Sequence, residues 1–182
     1  MTDDRDLALK AVRGDHEAFG ELVRRHQTGV FNAAYRMTGN RQDAEDVAQE
    51  AFIRAYRAIA SLDPSRPPGP WFRKIAVNVC LNRLEKRPAL PLEDEYLVTH
   101  SLTAPGTVPG PEAQTMARER SLLIRTALFK LPLRYRAVIE LRHFQELSYA
   151  EISETLESPL SAVKSDLFRA RRLLAEHLKE SA

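Results

Sequence analysis

Apolar positions recur at helical spacing over nearly the whole chain. Leu7, Ala8, Ala11 and Val12 form a short amphipathic stretch that stops at Gly14. Asp15 is placed to cap a second helix, on which Phe19, Leu22, Val23, Val30, Phe31, Ala34 and Tyr35 recur until Gly39-Asn40 ends it. A third helix is predicted from about Gln42 to Ser61 and a fourth from about Pro70 to Arg87. Between them Leu62–Pro70 holds four prolines and reads as a non-helical loop. The pattern then lapses. Residues 88–111 carry five prolines, two glycines, the acidic run Glu93-Asp94-Glu95 and no lysine or arginine, as expected of a tether. Helices resume near Glu112 and run to about Lys179, with a break at Leu131-Pro132-Leu133. Leu122, Leu123, Ala127, Leu128, Leu131, Tyr135, Val138, Ile139, Leu141 and Phe144 are the expected core of this part. The pattern predicts an all-α protein: two small helical domains, 1–87 and 112–182, joined by the Pro-rich linker 88–111.

The second domain ends in a helix-turn-helix. Ser148 followed three residues later by Glu151 is a capping box opening one short helix. Glu157-Ser158-Pro159 breaks it, with Ser158 expected as N-cap and Pro159 as first residue of the next helix. At about 100° per residue, Val163, Leu167, Ala170 and Leu174 fall on one narrow inward stripe. Ser161, Ser165, Phe168, Arg169 and Arg172 fall on the opposite arc, with Lys164 and Arg171 on a flank within reach of phosphates. An outward Phe among hydroxyls and guanidiniums is costly in water. Against DNA it fits, because an apolar ring can touch a thymine methyl and Arg can pair with guanine.

The third helix has an apolar stripe, Ala44, Val47, Ala48, Ala51, Phe52, Ala55 and Ile59. Asp43, Asp46, Glu50, Arg54 and Arg57 line its other face, acidic first and basic later. Spacing alone favours a match to the helix dipole plus a Glu50–Arg54 pair over a docking face. On the fourth helix Lys74, Asn78 and Asn82 make a polar stripe beside Trp71. Mid-helix asparagines are mildly unfavourable, so they either cap backbone inside the bundle or read base edges, with Arg73, Lys74, Arg83, Lys86 and Arg87 as phosphate contacts. Trp71 reads equally as core or as a stacking platform.

Composition narrows the function classes. Net charge is only +2, so any nucleic-acid surface must be local. A single cysteine, Cys80, leaves no internal disulfide or finger-type zinc site and fits a reducing, cytoplasmic setting. No apolar run is long enough to cross a bilayer, and the acidic N-terminus is unlike a signal peptide. The five histidines lie apart from any ligand set, and there is no phosphate loop, nucleophile elbow or acid/base pair. No enzyme activity, cofactor or metal is expected.

Four segments in order carry a family resemblance: Ala11-Val12-Arg13-Gly14-Asp15 with Ala18-Phe19; Asp43 to Phe52; Trp71 to Asn78; and the helix-turn-helix. Together they resemble the extracytoplasmic-function (ECF) sigma factors of bacterial RNA polymerase. The resemblance implies a promoter-specificity subunit, whose residues 1–87 dock on core RNA polymerase and bind the −10 element while residues 112–182 bind the −35 duplex. It turns Asp43, Asp46, Glu50 and Arg54 into the docking face. It also sets the loop before Trp71, with Trp71, Lys74, Asn78 and Asn82, against the unwound −10 strand. Ser161, Lys164, Ser165, Phe168, Arg169, Arg171 and Arg172 become the −35 reader. Relatives typically have an anti-sigma factor as a further partner. Related chains usually carry Gly at Glu157, often Gly at Ser161, and commonly a basic residue at Asp166. An acid there weakens DNA binding unless it pairs with a neighbour or reads cytosine N4. The rival reading is a stand-alone helix-turn-helix regulator that binds palindromic DNA as a dimer.

Overall fold

The computed structural model describes residues 3–85 and 111–180, with side chains described from residue 118 onward in the second stretch. The linker therefore lies outside the described residues apart from Pro111, as do Lys86 and Arg87. Among the described residues the chain is helical, without strands.

Helix α1, Asp4–Val12, has Asp4 and Asp6 in its first turn, where carboxylates meet the positive end of the helix dipole. The chain turns at Gly14 (φ 97°) into α2, His16–Thr38. Asp15 caps it, its side chain accepting the Ala18 N–H at 3.0 Å. Gly39, in the left-handed region (φ 76°), closes it with a bond to the Tyr35 carbonyl. Asn40 caps α3, Arg41–Arg57, by accepting the Asp43 N–H at 2.8 Å. The third helix is shorter than its sequence pattern: after Ala58 the chain tightens into a 3-10 turn, Ile59–Ser61.

The fourth helix begins earlier than expected. Pro68, Gly69 and Pro70 form the first turn of α4, Pro68–Leu84. First-turn N–H groups have no intrahelical acceptor, so prolines cost nothing there and their fixed φ favours the helix. Helices α2, α3 and α4 pack around Phe72, which is 1% exposed. The rings of Phe19, Phe52 and Trp71 meet it edge-on with centroids 6.1, 5.3 and 5.1 Å away. Burying such a ring contributes about 1.5–3 kcal/mol.

The second half comprises α5 (Pro111–Phe129), α6 (Leu133–Ile139), a π-turn (Glu140–Phe144), α7 (Tyr149–Thr155) and α8 (Leu160–Glu180). The break at Leu131-Pro132-Leu133 is where expected. Most of the expected core is buried or half-buried, but Leu122 is 41% exposed. Arg136 on α6 closes the end of α5, donating to the carbonyls of Leu128, Phe129 and Leu131 at 3.3, 3.1 and 3.2 Å. Burial lowers its pKa to about 10, so it remains a cation at neutral pH.

The two halves are not held apart. Their buried apolar side chains form one continuous cluster, and α4 and α2 of the first half pack on α5, α6 and the π-turn of the second.

Candidate nucleic-acid interface

The helix-turn-helix is built by local bonds. The Ser148–Glu151 capping box is complete: Ser148 Oγ accepts the Glu151 N–H at 3.2 Å and Glu151 Oε2 accepts the Ser148 N–H at 2.8 Å. In the turn Glu157 has φ 48°, the left-handed conformation that favours glycine, so this Glu occupies a backbone position better suited to Gly. Ser158 is not the cap. Its hydroxyl donates to the Leu156 carbonyl at 3.2 Å and accepts from Arg134 at 3.0 Å. Helix α8 starts at Leu160, with the Pro159 carbonyl accepting the Val163 N–H.

The α8 faces follow the helical periodicity. Val163, Leu167 and Ala170 are buried and Leu174 is half-buried. Ser161, Lys164, Ser165, Phe168, Arg169, Arg171 and Arg172 are all exposed, and among the described residues Phe168 is the most exposed large apolar side chain at 69%. Arg171 is steadied by His143, whose Nε2 accepts from its Nε at 3.2 Å. Burial, then the charges of Arg171 and Arg142, keep the His143 pKa below the ordinary value, which preserves the acceptor. Arg172 pairs with Glu176 at 3.2 Å. Phe168 and Arg169 thus stand out from the helix as an apolar ring beside a guanidinium, suited to base edges.

Asp166 sits on the opposite side of α8. It is 9% exposed and accepts from Arg134 Nε of α6 at 2.5 Å. Of the two alternatives for this acid, pairing with a neighbour is the one realised.

In the first half, Trp71, Lys74 and Asn78 are half-buried and Asn82 is exposed, so the polar stripe of α4 survives in the fold. The preceding loop is ordered by Asp63, whose Oδ1 accepts the Ser65 N–H and hydroxyl at 2.9 and 2.7 Å. Arg73 and Arg83 are not free phosphate contacts. Arg73 is half-buried, with its Nε lacking a hydrogen-bond partner, and Arg83 lies 3.5 Å from Asp46 and 3.8 Å from Glu50.

The face of α3 also differs from its helical wheel. Asp43 is only 9% exposed and lies on the inner side of the first turn, where Asn40 caps its N–H. Asp46 and Arg54 are exposed, Glu50 is half-buried, and Glu50 pairs with Arg54 as well as Arg83. Beside them an open groove of about 550 Å³ is lined by Phe19, Val23, Phe52, Ile53 and Tyr56 and rimmed by Gln49 and Arg57. Ile53 and Tyr56 are 47% and 45% exposed. Sequence reasoning missed this apolar patch, although Ile53 and Tyr56 interrupt the charged face at helical spacing.

A second omission is the polar cluster between the halves. Arg36 of α2 clamps Glu140 of the π-turn, Nε to Oε2 at 2.6 Å and Nη2 to Oε1 at 2.8 Å. Arg136 donates to the Met37 carbonyl at 2.6 Å and Arg125 to the Tyr35 hydroxyl at 3.0 Å. The one sequence signal was Glu140, a charge inside the apolar run Val138-Ile139-Leu141.

No group of His, Cys, Asp or Glu among the described residues could hold a metal ion, and no described helix is long and apolar enough to cross a membrane. Residues 22–88 match the family Sigma-70 region 2, and residues 121–174 match Sigma-70, region 4. The chain is 38% identical over 178 residues to the ECF RNA polymerase sigma factor SigW of Bacillus subtilis, covering 94% of this chain and 95% of SigW. It is 34% identical over 174 residues to the ECF sigma factor SigE of Mycolicibacterium smegmatis, covering 94% of this chain and 66% of SigE. The solved structure of CnrH in complex with the cytosolic domain of CnrY resembles it with a TM-score of 0.66 at 27% identity, covering 98% of this chain and 99% of CnrH. The fold is also that of sigma factor RpoE of Bartonella quintana, solved in complex with the anti-sigma factor NepR (TM-score 0.61, 20% identity, 88% and 96% covered). The chain belongs to the ECF sigma factors, non-enzymatic subunits that direct RNA polymerase to promoters.

Proposed function

We propose that two DNA-binding surfaces, one in each half, divide the promoter between them. In this reading residues 112–182 bind the −35 duplex through α8, with Phe168 and Arg169 on base edges, Ser161, Ser165 and Arg172 beside them, and Lys164 and Arg171 on phosphates. Residues 1–87 grip the unwound −10 strand along the stripe Lys74–Asn78–Asn82, with Trp71, the loop from Pro64 and the proline first turn of α4 at its end. Residues 88–111 are the tether that sets the span. The observation that carries the reading is the outward Phe168, 69% exposed among arginines and serines on a helix whose other side is buried through Val163, Leu167 and Ala170. A ring in that position loses its unfavourable hydration only when a partner covers it.

Core polymerase docks, in this reading, on α3 through Asp46, Glu50 and Arg54, with Ile53 beside them. Asp43 is too buried to share in the contact. We assign the chain to the cytoplasm, where core polymerase and promoters are. An anti-sigma factor is the second protein partner proposed; the similarity to CnrH, solved with a protein segment bound, supports a surface of this kind. A stand-alone dimeric regulator is not favoured, because the similarity to sigma factors spans both halves. The test is Arg169→Ala in the full chain. It lowers transcription from the cognate promoter, with each lost bidentate base contact weakening discrimination by about 1–3 kcal/mol, and leaves core-polymerase binding unchanged. Loss of core binding with promoter discrimination intact would reverse the assignment of faces.

A further inference from the structure

The loop and first turn proposed to meet the −10 strand are held in place by a histidine of another helix. We infer that His26 of α2 is a positioning residue for the −10 strand, its ring being the seat on which the first turn of α4 rests. The inference rests on the −10 assignment of residues 1–87 made above.

The loop is anchored at its two ends and open between them. Leu62 is buried at one end and Pro68 and Gly69 at the other, while Asp63, Ser65, Arg66 and Pro67 are exposed. Gly69 does not serve a special backbone conformation, because it lies inside α4 and its φ is not positive. Alanine is the better helix former at such a position. What Gly69 supplies is the lack of a side chain. A Cβ there would stand 3.1 Å from His26 Nδ1 and 3.2 Å from Cε1, tighter than ordinary van der Waals contact. It would also stand 3.3 Å from Arg73 Nη1, the far end of a flexible side chain that can turn aside.

The ring has less freedom to give way. Its Nε2 lies 2.9 Å from Asp4 Oδ2, and the other oxygen of Asp4 accepts from Arg25 Nη1 at 2.9 Å, so α1 braces the ring from behind. Its face lies against Phe72, with centroids 5.7 Å apart, and Phe72 is itself locked in the core. His26 therefore meets α4 at Gly69 and again one turn on at Phe72, which sets both the height and the tilt of the helix start. The chemistry of the ring also fits the place. An ionised carboxylate only accepts, so Nε2 carries the proton of the neutral ring and Nδ1, on the Gly69 side, is bare. Within Pro68-Gly69-Pro70 only Gly69 has an N–H, and no side chain caps this helix start. A bare nitrogen suits the positive end of a helix.

The test is a double-mutant cycle in the full chain assembled with core RNA polymerase. Binding is measured to a single-stranded −10 oligonucleotide and, separately, to a −35 duplex. Gly69→Ala pushes the turn off its seat and weakens −10 binding about three- to tenfold, within the range of couplings between residues in contact. Affinity for the −35 duplex and for core polymerase stays unchanged. His26→Ala weakens −10 binding likewise, and in that background Gly69→Ala adds nothing, because no ring is left to meet. An equal loss from Gly69→Ala in both backgrounds, wild-type −10 binding in either single variant, or a parallel loss of −35 and core affinity overturns the role. The cycle decides even where His26→Ala lowers stability, since it compares two chains that both lack the ring. Asn78→Ala with Asn82→Ala separates this inference from the reading beneath it. If −10 binding falls in that variant but not in Gly69→Ala, the seat alone is refuted; if it does not fall, the −10 assignment of α4 fails and the seat with it.

Discussion

Replacing Asp166 with alanine tests whether this acid belongs to the fold or to the DNA code. Asp166 is 9% exposed and accepts from Arg134 at 2.5 Å, while Arg134 also reaches Ser158 Oγ at 3.0 Å. The pair thereby ties α6, the turn and α8 together. A hydrogen bond to a charged group contributes about 1.5–3 kcal/mol. The Arg134 side chain is 52% exposed, so water compensates much of its loss and the net effect falls to about 1–1.5 kcal/mol. For a chain of this size that lowers the thermal midpoint by about 2–6 °C. Arg134→Ala produces a similar drop, and the double variant is little worse than either single one, because both remove the same interaction. Scanning calorimetry measures the stability, and binding to a set of −35 duplexes with single base changes measures the preference. The base preference stays that of wild type. A shifted preference at a cytosine with an unchanged midpoint would show that Asp166 reads DNA and refute the reasoning.

Two other perturbations follow from local geometry. Glu157 occupies φ 48°, so Glu157→Gly stabilises the chain by about 0.5–1 kcal/mol in denaturant titrations, and destabilisation would show that its side chain makes a contact worth more than the strain. His26 packs on Phe72 at 5.7 Å and meets Asp4 at 2.9 Å; burial holds its pKa below the usual 6.5 despite the Asp4 charge, and Arg73 and Arg25 lower it further. The unfolded chain therefore takes up protons first as pH falls through 6.5, so stability declines from neutral pH downward over the window between the two pKa values. The decline is shallower in His26→Gln, measured by thermal melts between neutral pH and about pH 5, and an unchanged slope would exclude this histidine as its source.

The helices and the buried and exposed faces of α8 were legible because their signals are local. Asp15, Gly39 and the Ser148–Glu151 box each act within four residues, and the α8 faces follow from a fixed 100° step. Errors arose where the deciding partner is distant or the local rule has two outcomes. Prolines read as breakers at Pro68 and Pro70, yet the same ring is favourable in a first turn. Asp43 satisfies a helical wheel as a surface residue, but the wheel does not show which way the first turn of α3 is set against its neighbours. The partner of Asp166 is 32 residues away and that of Glu140 is 104 away, beyond any periodicity. The tether pattern implied independent halves, and only the packed chain reveals that three arginines and a glutamate join them.

In vitro transcription with core RNA polymerase tests the central claim most directly. With the cognate promoter as template, adding this chain produces a transcript from one defined start. Phe168→Ala together with Arg169→Ala reduces that transcript while the variant still binds core polymerase. No promoter-specific transcript with the wild-type chain, or full output from the double variant, would contradict the account.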